Sequence, residues 1–324
     1  LSKKLTLKDI ADMAGVSLTT ASMYINGKAE KYKIAKSTCE RIEKIIKENN
    51  FNPNFHARAI AGKKTYLIGV VIVGDINKSF WFDIISGIEE TLAPHKYHMI
   101  LSVSHFDSEK ELENFEFMKT KAVDGLIIGP VISEKENNHS FFRKIQKETP
   151  LVAVSAKIDG LPSVYNDEET GGRIAADYLY EKGHRKIAYI GSNCKFQNRG
   201  KCFVECLKDK NVEVTSFANP REFISEKDKF SAVFCFSDPV ALDLYNEAAK
   251  AGVLIPDDLS IMGYDNMDFG KFLSPRLSTV HQHKKELGVA AANTILELIN
   301  DKNSKTTGKV FTPYLVENQS VKGC

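Results

Sequence analysis

The chain has 324 residues, 43% hydrophobic and 27% charged, an ordinary balance for a globular protein with two or three domains. No apolar run approaches the roughly 18 residues of a membrane span, and "LSKKLTLKDI" has no apolar stretch behind its lysines. Neither a membrane partner nor a signal peptide is expected, which points to the cytoplasm.

The formal charge of +2 hides an asymmetry: residues 1–64 hold 13 Lys+Arg against 6 Asp+Glu, the other 260 hold 31 against 36. A small basic head on a mildly acidic body suits a polyanionic partner, although a solvated basic face would give the same count. Six scattered cysteines (Cys39, Cys194, Cys202, Cys206, Cys235, Cys324) read as reduced thiols and not as a disulfide framework.

In chain order, "TLKDIADMAG" predicts a short helix. Thr6 is its N-cap, with Asp9 at capping-box spacing. Ile10, Ala11, Met13 and Ala14 form the apolar stripe, and Gly15 suits a left-handed stop. Ser17 then caps a second helix, and Ala11 and Ala21 are small enough for the two to cross closely. "STCERIEKIIKENN" supplies a third amphipathic helix, completing a helix-turn-helix unit. In such a unit the second helix enters the major groove, and its short hydroxyl side chains let the backbone approach phosphates. A helix pair in some other all-α module remains the alternative.

"NPNFHARAIAGKK", residues 52–64, reads as a linker with one or two turns of helix too short to be stable alone. A plain linker is the alternative.

From residue 65, apolar runs alternate with amphipathic ones. "LIGVVIV", "MILSV", "GLIIG", "LVAV", "IAYIG", "AVFCF" and "SIMGY" read as seven buried strands, with helices such as "FWFDIISGIEETLA" and "DEETGGRIAADYLYEKG" between them. This is an α/β pattern with parallel sheets, and a change of rhythm near residue 165 suggests two lobes. No GxGxxG, GxxxxGK[ST] or GxSxG occurs. Enzymatic function, a cofactor and a metal site are therefore not expected. Cys202 and Cys206 lack a second ligand pair, and His281 and His283 have no nucleophile motif beside them.

These segments carry a resemblance. "TLKDIADMAGVSLTTASMYINGKA…FNPNFHARAIAGKKT" looks like the DNA-binding head of the LacI/GalR family of bacterial transcription regulators, with "TTASMYINGKAEKYKIAKST" closest to the fructose and sucrose repressor branch. "VDGLIIGP", "YLYEKGHRKIAYIG", "IMGYDN" and "PRLSTVHQ" resemble the family's core. The implied fold is an all-α helix-turn-helix head plus a two-lobed α/β core similar to periplasmic binding proteins. The implied domains are 1–51 for the head, 52–64 for a hinge and 65–324 for the core. Within the core, one lobe would span 65–163 with 282–303, the other 164–281 with 304–324.

The resemblance implies a homodimer on a double-stranded pseudo-palindromic operator, released or tightened by a small effector, a sugar or sugar phosphate. Leu18, Thr19 and Met23 match base-facing positions, and Thr6, Ser17, Thr20, Ser22 and Asn26 join them at the DNA. Asn54, Ala57, Arg58 and Ile60 match the hinge that lies in the minor groove, with Ile60 where a wedging Leu is usual. Met23 stands where the family usually has a guanine-reading Arg, so methyl contacts and shape are expected to carry the half-site. For the effector, Arg199 in "RGKCF" matches a ligand-contacting Arg, with Cys202 in place of Gly. Asp238 and Asp265 match hydroxyl acceptors, and Phe80 and Trp81 an aromatic pair. Asp75, Ser155 and Ser237 complete the expected set, Ser155 replacing an acid and Ser237 a common Asn. A sugar receptor with a non-functional head is the alternative function.

Overall fold

The computed structural model describes residues 5–25, 28–49, 51, 64–74, 80–132, 138–191, 198–301 and 303–324. It divides into two compact units, Leu1–Thr65 and Tyr66–Cys324. Of the expected site residues, Asn26, Asn54, Ala57, Arg58, Ile60 and Asp75 lie outside the described residues, as does the hinge segment up to residue 63.

The first unit holds α1 (Leu7–Met13), α2 (Leu18–Ile25) and α3 (Lys36–Glu48). Both halves of the capping box start α1: the Thr6 hydroxyl accepts from the Asp9 amide at 3.3 Å, and the Asp9 carboxylate accepts from the Thr6 amide at 2.7 Å. Gly15, at φ +60°, ends it, with the Val16 amide reaching back to the Ala11 carbonyl and the Gly15 amide to that of Asp12. That is the Schellman arrangement, and it turns the chain at once into α2. The core beneath is thin: Ile10, Ala14, Ile42 and Phe51, with Ala11 and Ala21 buried at the helix contacts.

The second unit holds two six-stranded sheets. The first contains β1 (Leu67–Ile72), β2 (His98–Val103), β3 (Gly125–Gly129), β4 (Leu151–Val154), β5 (Ser163–Asn166) and β11 (Gly308–Phe311). The second contains β6 (Ile187–Ile190), β7 (Val214–Phe217), β8 (Ala232–Cys235), β9 (Ser260–Asp265), β10 (Ser278–His281) and β12 (Tyr314–Val316). Their orders correspond, β2-β1-β3-β4-β5-β11 and β7-β6-β8-β9-β10-β12. All pairings are parallel except β10 with β12.

Covering helices follow the strands: α4 (Phe80–Leu92), α5 (Ser108–Thr120), α6 (His139–Ile145), α7 (Glu168–Glu181), α8 (Asn198–Lys208), α9 (Pro220–Ile224), α10 (Asp238–Lys250) and α11 (Lys284–Asn300). Buried runs in β1, β3, β4, β6, β8 and β9 explain why these strands are apolar throughout: helices cover both faces. Gly87 on α4 and Gly288 on α11 let those helices touch backbone to backbone; a Cβ at either would overlap the other helix's carbonyl oxygen.

The chain crosses between sheets three times, after Asn166, after His281 and after Phe311. Sheet membership moves two expected lobe boundaries. Ser163–Asn166 and Gly308–Phe311 belong to the first sheet, so the lobes change at 166 and 311, not at 163 and 303. Both are four-residue strands with polar residues and partly exposed positions, so neither gives an apolar run in sequence.

Candidate functional site

In the first unit, α2 presents its opening turn. The Ser17 hydroxyl accepts from the Thr20 amide at 3.1 Å and lies 2.9 Å from the Thr20 hydroxyl. Ser17, Leu18 and Thr19 are exposed, while Thr20, Ser22 and Met23 are half-buried. Leu18, Thr19, Ser22 and Met23 line a shallow concavity of about 380 Å³ together with Leu7, Lys28 and Tyr32. Leu18 is 51% exposed and Tyr32 48%, so this is an uncovered apolar floor with polar groups around it. Exposed Lys28, Lys31, Lys33 and Lys36 follow α2. Short hydroxyls, apolar contacts and nearby ammonium groups suit phosphates and thymine methyls. Thr6 is committed as a cap, its hydroxyl donating to Asp9 at 2.6 Å. Leu7, Lys28 and Tyr32 were not anticipated; Tyr32, within a run of charged residues, gave no periodic signal.

In the second unit, strand order reverses between β1 and β3 and between β6 and β8. Loops leaving the carboxyl ends of such neighbours diverge and leave a crevice. Phe80 and Trp81 start α4, after β1, and sit edge to face at 5.5 Å. The Trp81 ring lies so close over Gly129, at the end of β3, that any Cβ there would overlap it. Ser155, at φ +65°, ends β4 and is half-buried.

On the second lobe, Arg199 in the first turn of α8 is the centre. Gly172 permits this, because a Cβ there would overlap the Arg199 carbonyl and push α8 away from α7. The guanidinium forms a bidentate pair with Glu168, through Nε to one carboxylate oxygen and Nη2 to the other, the latter at 2.9 Å. Its Nη1 donates to the Phe236 carbonyl at 3.1 Å and lies 3.5 Å from Asp265. The guanidinium carbon is 3.9 Å from the Tyr264 ring centre and 4.6 Å from that of Phe236. The side chain is 11% exposed.

Asp265 has the unusual φ of +113° for a side-chain-bearing residue and is held from several directions. Gln282 donates to its carboxylate at 2.6 Å, and Lys284 donates to its backbone carbonyl at 2.6 Å and to that of Asn266 at 3.2 Å. Gln282 in turn accepts from Asn166 at 3.0 Å, and the Asn166 oxygen accepts from the His283 amide at 3.2 Å. Asp265 is thus wired to two of the three crossovers. Burial pushes its carboxyl up, and Arg199 and Lys284 oppose that shift.

Asp238 is different from the expectation. It is fully buried, its oxygens accepting from the Met267 amide and the Thr279 hydroxyl, each at 2.7 Å. Burial, with Asp265 adding to it, pushes this carboxyl up to about 8. It fastens the exit of β9 beneath the crevice and presents no atom to a ligand. Ser237, half-buried, precedes it at the N-cap position of α10 and makes no side-chain cap bond.

Sequence reasoning missed Glu168, Asn166, Gln282 and Lys284. A first-turn helix acid, a strand-end amide and "HQHKK" look like ordinary surface residues until the fold brings them to Arg199 and Asp265. His281 and His283 pack at 5.2 Å from each other, His281 stacked on Tyr314 at the last crossover. Among the described residues no three metal-binding side chains cluster, and no helix is long and apolar enough to cross a membrane. The five described cysteines are free thiols.

A helix-turn-helix unit joined in one chain to two largely parallel sheets, with polar groups gathered at the strand ends, is the build of a DNA-binding regulator with a periplasmic-binding-type core. Comparison with known proteins agrees. Residues 6–54 match the bacterial regulatory proteins of the lacI family, and residues 176–321 the periplasmic binding protein-like domain. The HTH-type transcriptional repressor PurR of Photobacterium profundum is 30% identical over 98% of both chains. The lac repressor dimer bound to operator and the anti-inducer ONPF superposes with a TM-score of 0.84 at 21% identity, over 99% of this chain and 100% of that one. A LacI-family regulator from Enterococcus faecium with bound ribose gives 0.69 at 25% identity, over 80% and 99%. The chain belongs to the lacI family of bacterial regulatory proteins, and within it is a DNA-binding transcriptional repressor.

Proposed function

We propose that the protein represses carbohydrate-use genes as a cytoplasmic homodimer on a pseudo-palindromic operator, and that a sugar or sugar phosphate in the crevice shifts its grip. What supports this reading is a hydrogen-bonding group, Arg199 and Asp265, on one lobe and an aromatic pair, Phe80 with the buried Trp81, on the other. Sugars offer hydroxyls to the first and apolar ring faces to the second. Half-buried Ser155 and Ser237 would add further donors, and Asp238 is left out because it is fully buried. Ligand binding would act by its unequal affinity for two lobe arrangements, with the chain from Asp265 through Gln282 to Asn166 tying ligand to crossover. Dimerisation belongs to this reading as what the family resemblance implies. The kinship of the head with the fructose and sucrose repressors belongs to this reading, as does the absence of enzymatic activity and of a cofactor.

At the DNA, Leu18, Thr19 and Met23 would read bases, and Ser17, Thr20 and Ser22 would contact or support contacts to phosphates, with Asn26, Asn54, Ala57, Arg58 and Ile60 completing the interface. The test is selection from a random duplex pool at moderate salt. A pseudo-palindrome with a deformable centre is expected, tolerant of any base pair opposite Met23 that keeps a methyl or shape. An indispensable guanine there overturns the Met23 assignment, and the variant Met23→Arg should acquire that guanine, worth about 1–3 kcal/mol. No enrichment of any sequence, with and without candidate sugars, favours the second reading, a sugar receptor with an inactive head; the complete capping box at Thr6 and Asp9 speaks against it.

A further inference from the structure

We propose that Glu168 is a charge filter that restricts the crevice to uncharged polyhydroxyl ligands and excludes phosphate esters and carboxylates. This rests on the crevice being the effector site, and it narrows the ligand class given above to the sugars without phosphate.

Arg199 is the group in the crevice that would naturally grip an anion, because its planar fork matches carboxylate and phosphate in two parallel hydrogen bonds. A guanidinium has five N–H donors. Here the fork is already filled: Nε and one Nη2 hydrogen go to Glu168, and Nη1 serves the Phe236 carbonyl and faces Asp265. One Nη2 hydrogen remains for a ligand. The ring faces of Tyr264 and Phe236 lie against the guanidinium, which holds its plane in this pose.

An anion could take the fork only by displacing Glu168, whose side chain is 25% exposed, leaving that carboxylate unpaired beside the incoming charge. The other cation on this wall, Lys284, is 4% exposed and already bonded to the Asp265 and Asn266 carbonyls, with Asp83 at 3.8 Å. Among the described residues, the carboxylates within 4.0 Å of these two cations are Glu168, Asp265 and Asp83. A hydroxyl meets no such obstacle. It accepts the free Nη2 hydrogen and donates its own proton to Glu168 or Asp265, so a neutral polyol adds bonds without breaking the pair.

The experiment is titration calorimetry on the full chain with three probes: inorganic phosphate, D-ribose and D-ribose 5-phosphate. Parent, Glu168→Gln, Glu168→Asp and the double variant Glu168→Gln/Arg199→Gln are compared after circular dichroism confirms folding. Loss of the carboxylate charge in Glu168→Gln should raise phosphate affinity by roughly tenfold or more. Glu168→Asp, which keeps the charge, should stay as exclusive as the parent, and the double variant should lose the gain. The proposal is overturned if the parent binds phosphate or ribose 5-phosphate as tightly as Glu168→Gln does, or if the gain survives without Arg199. Should Glu168→Gln not fold, Glu168→Ala replaces it, and anion binding by the parent alone is already decisive against. Failure of ribose with the expected phosphate pattern leaves the filter standing and removes only ribose-type ligands from the wider reading.

Discussion

The two units place their working side chains at opposite extremes. In the head, Leu18 and Tyr32 face outward, and the groups that shape the surface come from one stretch of about 30 residues. In the core, Arg199, Asp265, Gln282 and Lys284 are largely or fully buried, and the partners of Arg199 come from α7, from the residue after β8 and from β9. The head exposes its side chains from a minimal core, whereas the polar groups at Arg199 and Asp265 first satisfy one another. Damage should therefore register differently: the head loses its fold, the crevice its charge balance.

The largest expected effect is at Arg199. Replacing it with Ala strands Glu168 and Asp265 and should destabilise the core by about 3–5 kcal/mol, the range for breaking a buried pair. Urea unfolding should show the loss in the core transition alone; a loss below about 1 kcal/mol would mean that the carboxylates have other support. In the head, Ile42→Ala removes a fully buried side chain and should remove about 2–5 kcal/mol. For so small a unit that is most of its stability. Calorimetry should find the head transition abolished with that of the core in place; an unchanged head transition would show that its core lies elsewhere.

Asp238 sharpens the contrast through pH. Its folded carboxyl is raised to about 8 from the ordinary 3.8 of an Asp, so the folded state keeps a proton that the unfolded chain releases. A raised carboxyl makes stability fall as pH climbs between those two values, by up to about 1.4 kcal/mol per pH unit. Asp238→Asn should flatten that limb while keeping an acceptor for the Met267 amide. Parallel pH curves for parent and variant would contradict the assignment. The smallest effect is Ser17→Ala, which removes the cap of α2 and should lower head stability by about 1 kcal/mol. A comparable fall in the core's melting temperature would be the wrong result.

The same contrast explains what could be read beforehand. Caps and stops act over three or four residues, so Thr6, Gly15 and Ser17 announce the head's helices in the sequence itself. The long apolar strands were equally plain, whereas "SVYN", "VTSF" and "GKVF" became strands only because a neighbour was waiting to pair with them. In the crevice, Arg199 was reached through resemblance, yet its partner Glu168 sits 31 residues away and reads locally as a first-turn helix acid. Asp238 misled for the converse reason: the position matched, but burial and the Thr279 hydroxyl turned it into a fastener. Local rules carry a helix start; they carry nothing about which distant side chain will neutralise a buried charge.

The late strands also set an order of events. Gly308–Phe311 closes the first sheet against β5 and Tyr314–Val316 extends the second against β10, while Ile295 of α11 fills the space beside Gly125. A ribosome adding about 5–20 residues per second releases the head some tens of seconds before it makes these pieces. At the end of that interval the DNA-binding head is tethered to two sheets that each still lack one edge strand, β11 and β12. Synthesis thus produces the reader of DNA well before the core is complete.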